Sequence, residues 1–524
     1  MPPRVRQLGK QLAIYGAGDV AVSAVNLLLL PVYVQYLDER DYGVLGLLGG
    51  VEVVAKIGFR LGLDGSFMRF FLDQEDAAAR RRLASTIFFF LLAVNGLLLA
   101  ASVAAAPWMA RVLFDDATAA LPLRLVLLNT FAIGFTFLPF HVLRMEGRST
   151  EFSLLALARS VATVLLRLGL VVGAGLGVLG VVVADVVVTA VLIAIMLPRF
   201  ARLIGPVFSR AVLRDSLAFG LPRVPHAAAQ QVMAVGDKFI LAAFRPIAEV
   251  GVYSMGVSFG LTQKLFLSAF EYAWAPFYYA AARESGAKAT FATVTTYGVA
   301  ALALLTAGLT AIARDLLDLM TRGVFVEAAP VVALTAVGVF LQGVYLLTSI
   351  GLNLTRRTLY YPAATIAAAT TNIALNYALI PRLGLIGAAW ANAAGYAVQA
   401  GLAFAFSQRA YPVAYEYGRI VRAMLSATLA CAVALALPAL PAAVGLALRG
   451  TVVVVLFTAL LWATGFVRAN ELNVLRRLRG TDGVSQAGAA ADTTELAGEI
   501  VAADIPDPRL MPAAGPPPAR DRPS

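Results

Sequence analysis

The chain has 524 residues, 60% of them hydrophobic and 14% charged, with a mean hydropathy of +0.79 and a formal net charge of +11. That balance excludes a soluble core and describes a polytopic membrane protein. One cysteine, Cys431, and two histidines, His141 and His226, exclude an intramolecular disulfide and a His-rich metal cluster.

A bilayer core about 30 Å thick takes about 20 helical residues, and about fourteen such stretches follow one another. They cover 11–36, 42–63, 83–106, 119–143, 152–174, 176–198, 216–243, 249–280, 290–312, 328–351, 358–380, 384–407, 417–438 and 444–467. The first run, behind Arg4, Arg6 and Lys10, is too long for a signal-peptide core and reads as a retained helix. Alternate connections collect the arginines: Arg69 with Arg80–Arg82, Arg144 with Arg148, Arg199 to Arg214, Arg283 with Lys288, Arg356 with Arg357, and Arg409. The remaining connections hold mostly single positives such as Arg40, Arg111, Arg245 and Arg382. Lysine and arginine are retained on the cytoplasmic side, so both termini are expected there and the net charge is topogenic. Nucleic acid is not an expected partner.

The chain repeats itself. Leu176 to Asp185 and Leu383 to Asn392 share Leu, Gly, Gly and Ala in register, 207 positions apart. Tyr42-Gly43-Val44 meets Val250-Gly251-Val252, and Lys56 meets Lys264, at an offset of 208. The expected fold is all-α, two six-helix lobes related by a parallel pseudo-two-fold axis along the membrane normal, plus two additional C-terminal helices. The domains are then 1–198 (helices 1–6), a basic linker over 199–215, 216–407 (helices 7–12), 408–467 (helices 13 and 14, peripheral), and a cytoplasmic tail over 468–524. The linker is expected to lie on the membrane surface as an amphipathic segment. The tail, rich in Gly, Ala, Asp and Pro, is expected to be disordered.

Three stretches carry a resemblance. Leu27 to Leu48, Gly236-Asp237-Lys238-Phe239-Ile240-Leu241 with Val250 to Ser254, and Asn372 to Ala389 resemble the polysaccharide-transport branch of the multidrug/oligosaccharidyl-lipid/polysaccharide flippase superfamily. The similarity covers roughly residues 8–467. It implies a two-lobed, V-shaped carrier in the bacterial inner membrane, moving undecaprenyl-diphosphate-linked oligosaccharide outward by alternating access for surface polysaccharide biosynthesis. The implied partners are that lipid-linked substrate, membrane lipids and other polysaccharide-assembly proteins. The drug-exporting branch's ion-binding motif is not found, apart from Pro31 and an acid in the first helix.

Charges inside the apolar runs are the candidate site. An Arg, Lys or Asp at a helix centre costs about 2.5–3.5 kcal/mol on insertion scales, so several together point to a watery cavity or a binding role. Lys56, Arg60, Arg159, Arg167 and Lys264 are the candidates for holding the diphosphate, Arg through forked donors and Lys as a point charge. At the repeat offset Arg159, Arg167 and Arg60 map to Ile366, Ala374 and Ser268, which makes the N-terminal lobe the cationic one. The bland alternatives are snorkelling for Arg60 and pairing with a buried acid for Arg159 and Arg167. Of the acids Asp19, Glu52, Asp185 and Glu271, Asp19 and Asp185 are candidates for ion coupling by H+ or Na+, with neutralisation of an arginine as the alternative. Glu52 and Lys56 are spaced for a helix pair, and Asp237-Lys238 reads as an interfacial pair. Asn392, the repeat mate of Asp185, suggests a shared geometry. Pro31, Pro222 and Pro225 are hinge candidates, because proline removes a ladder hydrogen bond. The run Tyr272, Trp274, Phe277, Tyr278, Tyr279 reads as an interfacial aromatic belt or, alternatively, as stacking surface for sugars.

Gly175 to Gly180 matches the dinucleotide fingerprint but opens a membrane helix instead of following a strand, so it is set aside. No Walker A loop and no nucleophile–base set are found, and no metal or other cofactor is expected. A flippase is the first reading. A drug/cation antiporter of the same fold would want acids where cations predominate, and a membrane glycosyltransferase or polymerase would want a large loop where none exceeds about twenty residues.

Overall fold

A computed structural model describes residues 29–468, apart from 75 and 285. The first expected span contributes only its end, helical over 29–33, and Asp19 and the tail over 469–524 lie outside the described residues. Every later expected span is helical. The second is α1 (Glu39–Arg60) continued by α2 (Leu63–Asp73), and the third is α3 (Ala77–Phe114). The fourth is α4 (Ala120–Gly134) with α5 (Phe137–Met145), the fifth α6 (Ser149–Leu168), the sixth α7 (Gly177–Leu203). The second lobe runs through α8 (Arg210–Gly220), α9 (Val224–Phe244), α10 (Ile247–Gly260), α11 (Lys264–Ala281), α12 (Ala287–Thr321), α13 (Ala329–Thr348), α14 (Ile350–Leu354), α15 (Tyr360–Leu383) and α16 (Leu385–Ala410). Then come α17 (Tyr417–Leu435) and α18 (Ala442–Ala463). No strand occurs among the described residues.

Local chemistry sets the boundaries. Asp38 caps α1 through the Asp41 amide while Asp41 returns a bond to the Asp38 amide, and Asp76 and Ser209 cap α3 and α8. Among the described residues ten helical segments are long and apolar enough to cross a membrane. Gln230, Gln231, Asp237 and Lys238 dilute the apolar run of the seventh span, and Gln263 and Lys264 that of the eighth. Asn392, Tyr396 and Gln399 dilute the apolar run of α16.

The duplication is visible in where helices begin. Glu39 and Ile247 open α1 and α10 at a spacing of 208, and Gly177 and Leu385 open α7 and α16 at the same spacing. A 3-10 turn precedes the fourth span at Ala117–Ala119 and the tenth at Val326–Ala328, 209 positions on. Alternating helices gather the arginine-rich connections at one end of the bundle, the basic face, and leave 111–119, 245–247, 322–326 and 381–385 at the opposite face.

The glycines of α1 let the two lobes approach. A Cβ on Gly43 would lie 2.0 Å from the Ile247 carbonyl oxygen, and one on Gly251 1.8 Å from that of Glu39. Gly43 and Gly251 are repeat mates, so the pseudo-two-fold axis runs between them and each presents bare backbone to the other helix. Gly46 and Gly50, further along the same stripe, face Ser254 and the Phe239 ring. One apolar core crosses this seam, from Leu47, Val51 and Leu123 to Leu241, Val250 and Ala388. Near the basic face the lobes meet again, where Gly62 and Gly220 touch backbone to backbone and the Ser66 hydroxyl donates to the Ser216 carbonyl at 2.7 Å.

The basic linker over 199–215 is mostly exposed. It is the end of α7 and the start of α8, and the turn between is pinned to α3: the Gly205 amide donates to Ser85 Oγ at 2.8 Å, the Ser209 amide to Thr86 Oγ1 at 3.1 Å, and Arg81 to the Ile204 carbonyl at 3.1 Å. The two C-terminal helices pack on each other and on α12. Arg449 of α18 makes a buried ion pair with Asp315 of α12, and Arg419 of α17 pairs with Glu416 and donates to the Phe466 carbonyl and the Tyr297 hydroxyl. Of the aromatic run, Trp274 and Tyr278 are buried, Trp274 stacks on Phe277 at 5.7 Å, and Phe277 and Tyr279 are exposed.

Candidate functional site

The charges of the N-terminal lobe come from α1, α6 and α7 and gather in one region. Glu52 and Lys56, one turn apart on α1, pair at 2.5 Å as their spacing predicts. Arg60 lies 3.6 Å from Asp64 across the break at Leu61 and Gly62, where both residues adopt left-handed backbone. On α6, Arg167 forms a fork with Asp185 of α7, Nε to Oδ1 at 3.0 Å and Nη2 to Oδ2 at 2.7 Å. The buried hydroxyl of Tyr33, from the end of the first span, has no hydrogen-bond partner and lies within electrostatic reach of this pair.

Arg159 differs. It sits eight residues before Arg167, about 80° away around the helix, so both side chains look to one side of α6. It has no carboxylate partner among the described residues, although Asp185, Glu52 and Arg167 are close enough to act on its charge. Around it, among the described residues, Lys56, Arg159 and Arg167 face Glu52 and Asp185, three cations against two carboxylates. Two pairs are satisfied internally, so the surplus charge resides on a half-buried guanidinium.

Lys264 does not repeat the setting of Lys56. The turn Leu261–Gln263 places it as the first residue of α11, exposed and without an ion pair among the described residues, whereas Lys56 is inside an unbroken helix. Sequence register is kept between the lobes, but the helix breaks at different positions in each. Glu271 is exposed and unpaired among the described residues.

The C-terminal lobe holds a polar core that the sequence reading placed wrongly. Asp237 is not at an interface. It is 2% exposed, between α9, α10 and α16, where the Tyr253 hydroxyl, the Asn392 amide (3.3 Å) and the Lys238 backbone (2.8 Å) all donate to its carboxylate. Asn392 also donates to the Met233 carbonyl at 2.9 Å. Beside it on α15, buried Asn376 donates to Asn372 at 3.1 Å, leaving Asn376 Oδ1 and Asn372 Nδ2 without partners. The repeat mates Asp185 and Asn392 therefore do not share a geometry: one accepts an arginine fork within its lobe's charge cluster, the other donates to a buried carboxylate. A signal existed in the amides of Asn372, Asn376 and Asn392, which recur within otherwise apolar helices.

The hinge candidates flank the seam. Pro31 is in the helical end of the first span, Pro222 in the turn Leu221–Arg223, and Pro225 in the first turn of α9, so the seventh span is broken at its prolines directly after the Gly62–Gly220 contact. No cluster of three or more His, Cys, Asp or Glu suited to a metal occurs among the described residues.

Residues 35–272 match the family described as polysaccharide biosynthesis protein. No curated protein matches the chain by sequence. Among solved structures the chain is similar to the lipid II flippase MurJ in an inward closed conformation, with a TM-score of 0.64 and 13% identity over 86% of this chain and 99% of that one. It is also similar to a multidrug resistance MATE family transporter of the MOP superfamily in two conformations. The inward-facing form gives a TM-score of 0.62 at 17% identity over 74% of this chain and 94% of that one. The outward-facing form gives 0.54 at 17% identity over 76% and 95%. Likeness at these identities establishes a common fold, and it agrees with the resemblance read from the sequence.

Proposed function

We propose that the chain, which shares its fold with the lipid II flippase MurJ, is a flippase for undecaprenyl-diphosphate-linked oligosaccharide units of a surface polysaccharide. Arg159 carries the reading. A guanidinium held inside the N-terminal lobe with no carboxylate partner among the described residues is a costly arrangement in a membrane unless an anionic ligand completes it. A diphosphate supplies the acceptors, and close by the Lys56–Glu52 pair and the Arg167–Asp185 fork, each neutral overall, leave Arg159 as the uncompensated charge while the fork holds α6 and α7 in register. Lys264, exposed at the head of α11, is the second cation free to follow a phosphate as the lobes move.

Transport then needs the lobes to separate at one end at a time. The Gly43–Gly251 seam is the gate on the opposite face, and the prolines at 222 and 225, with Pro31, are the points where the seventh and first spans bend. For the coupling ion, H+ or Na+, we favour Asp237 over Asp185. Asp185 is already committed to Arg167, whereas Asp237 has no ion-pair fork among the described residues and lies, with the buried Lys238 charge within reach, near amides with unused polar atoms. The reading places both termini and the basic face in the cytoplasm.

The test is the level of lipid-linked oligosaccharide on the inner leaflet of a deletion strain. Wild-type chain is expected to clear it and Arg159→Gln to leave it accumulated at least tenfold. Clearance by Arg159→Gln at the wild-type rate removes the cationic-lobe mechanism.

A further inference from the structure

The opposite face of the C-terminal lobe bears arginines that topogenesis does not explain, because the connections there are the ones depleted of positive charge. Arg245 after α9, Arg314 on α12 and Arg382 at the end of α15 stand far apart in sequence, yet they line one open cavity of about 720 Å³. Arg245 is fixed in place. It donates to the Pro381 carbonyl at 3.2 Å and lies 4.0 Å from Glu249, and both side chains abut Gly384, where a Cβ would come within 3.6 Å of Arg245 Nε and 2.9 Å of Glu249 Oε2. Arg314 and Arg382 are exposed and have no ion pair among the described residues.

The floor of this cavity includes Gly384, Leu385 and Ile386, the start of the 26-residue helix α16. Gly384 takes a left-handed φ of 56° and offers no side-chain cap, so the first amides of α16 stand at the cavity beside the Glu249 carboxylate, with the positive end of the helix dipole behind them. Arginine forks and free helix amides together are the donor set for a phosphate. The charge count narrows the ligand. Three arginines face two carboxylates, Glu249 and Glu327, a surplus of one, which suits a singly charged phosphodiester better than a diphosphate.

An apolar strip leads away from the cavity toward the middle of the bundle. Leu383, Ile386 and Trp390 are exposed, and Ile386 and Trp390 share one side of α16, one turn apart. We infer that this face binds a membrane phospholipid, its phosphodiester held by Arg314, Arg382 and the α16 amides, and one acyl chain laid along Leu383, Ile386 and Trp390. The site is independent of the substrate assigned above, since it lies outside the N-terminal charge cluster and its occupancy is read without transport.

The experiment uses full-length protein in neutral detergent, titrated with phosphatidylglycerol and read by native mass spectrometry, with inorganic phosphate as a parallel arm. Wild type is expected to retain the lipid, Arg314→Gln/Arg382→Gln to bind it at least tenfold more weakly, and Trp390→Ala several-fold more weakly. Arg124→Gln, an exposed arginine of the other lobe, is expected to bind as wild type. All four proteins are compared at matched melting temperature, and both arginines of the double variant are surface residues without ion pairs. Unchanged lipid retention in the double variant overturns the site. Displacement of the lipid by millimolar inorganic phosphate overturns the lipid assignment and makes the free ion the ligand.

Discussion

Adding one methyl group at the axis between the lobes should unlock the seam. In Gly251→Ala the new Cβ would lie 1.8 Å from the Glu39 carbonyl oxygen and 2.9 Å from the Gly43 nitrogen, and both obstacles are backbone. An ordinary Cβ contact is about 3.4 Å or more, so α1 and α10 must move apart by roughly 1.5 Å. Overpacking of this kind costs about 1–3 kcal/mol. If only the closed seam carries that cost, the balance between closed and open states shifts by about 5- to 150-fold, at 1.4 kcal/mol per tenfold. The shift is measurable by spin labels at Arg111→Cys and Val324→Cys on the opposite face, in a Cys431→Ser background that removes the native thiol. The variant is expected to move the distance distribution to longer values, and Gly43→Ala should do the same because the two glycines are mates. Identical distributions in wild type and both variants, with unchanged thermal stability, refute the argument that this contact closes the opposite face.

Other perturbations separate structural from functional charge. Asp315→Ala leaves Arg449 buried without its partner and is expected to cost about 3–5 kcal/mol, read as a lower melting temperature in detergent, whereas Asp315→Leu with Arg449→Met should restore most of it. A melting point equal to wild type in Asp315→Ala argues against the buried pair. Arg167→Ala strips Asp185 of its fork and should destabilise by about 1–3 kcal/mol, while Arg159→Gln should change stability by less than about 0.5 kcal/mol and act on transport alone. Equal losses of stability would merge the two arginines into one structural role. Asp237→Asn is expected to abolish dependence of transport on the ion gradient while leaving substrate binding intact, and gradient-driven transport by this variant excludes Asp237 as the coupling group.

The sequence carried the architecture further than the site. Apolar run length locates spans because the bilayer fixes how many helical residues are needed, and the offset between repeats survives in Glu39 with Ile247 and Gly177 with Leu385. Tyr42-Gly43-Val44 and Val250-Gly251-Val252 stood out as mates before their contact was visible, and close approach at the axis gives the physical reason for glycine in both copies. Pairing was also within reach: Arg167 and Asp185 stand eight and ten residues either side of Gly175, which places them at equal depth on antiparallel neighbours. What the sequence did not disclose was where helices break. Lys264 and Lys56 are in register, but a 3-10 turn before one and a continuous helix around the other give them different surroundings. Asp237 was misplaced because an acid next to a lysine reads as an exposed pair, and its burial depends on Tyr253 and Asn392 arriving from two other helices.

Reconstitution gives the most direct measurement. Purified chain in liposomes is supplied with a fluorescent undecaprenyl-diphosphate oligosaccharide, and the fraction crossing the bilayer is followed by an impermeant reagent, beside a parallel assay with a monovalent cationic dye. The account predicts lipid-linked oligosaccharide transfer that falls at least tenfold in Arg159→Gln, with no movement of the dye. Dye export with no transfer of the glycolipid, or transfer indifferent to Arg159, contradicts it.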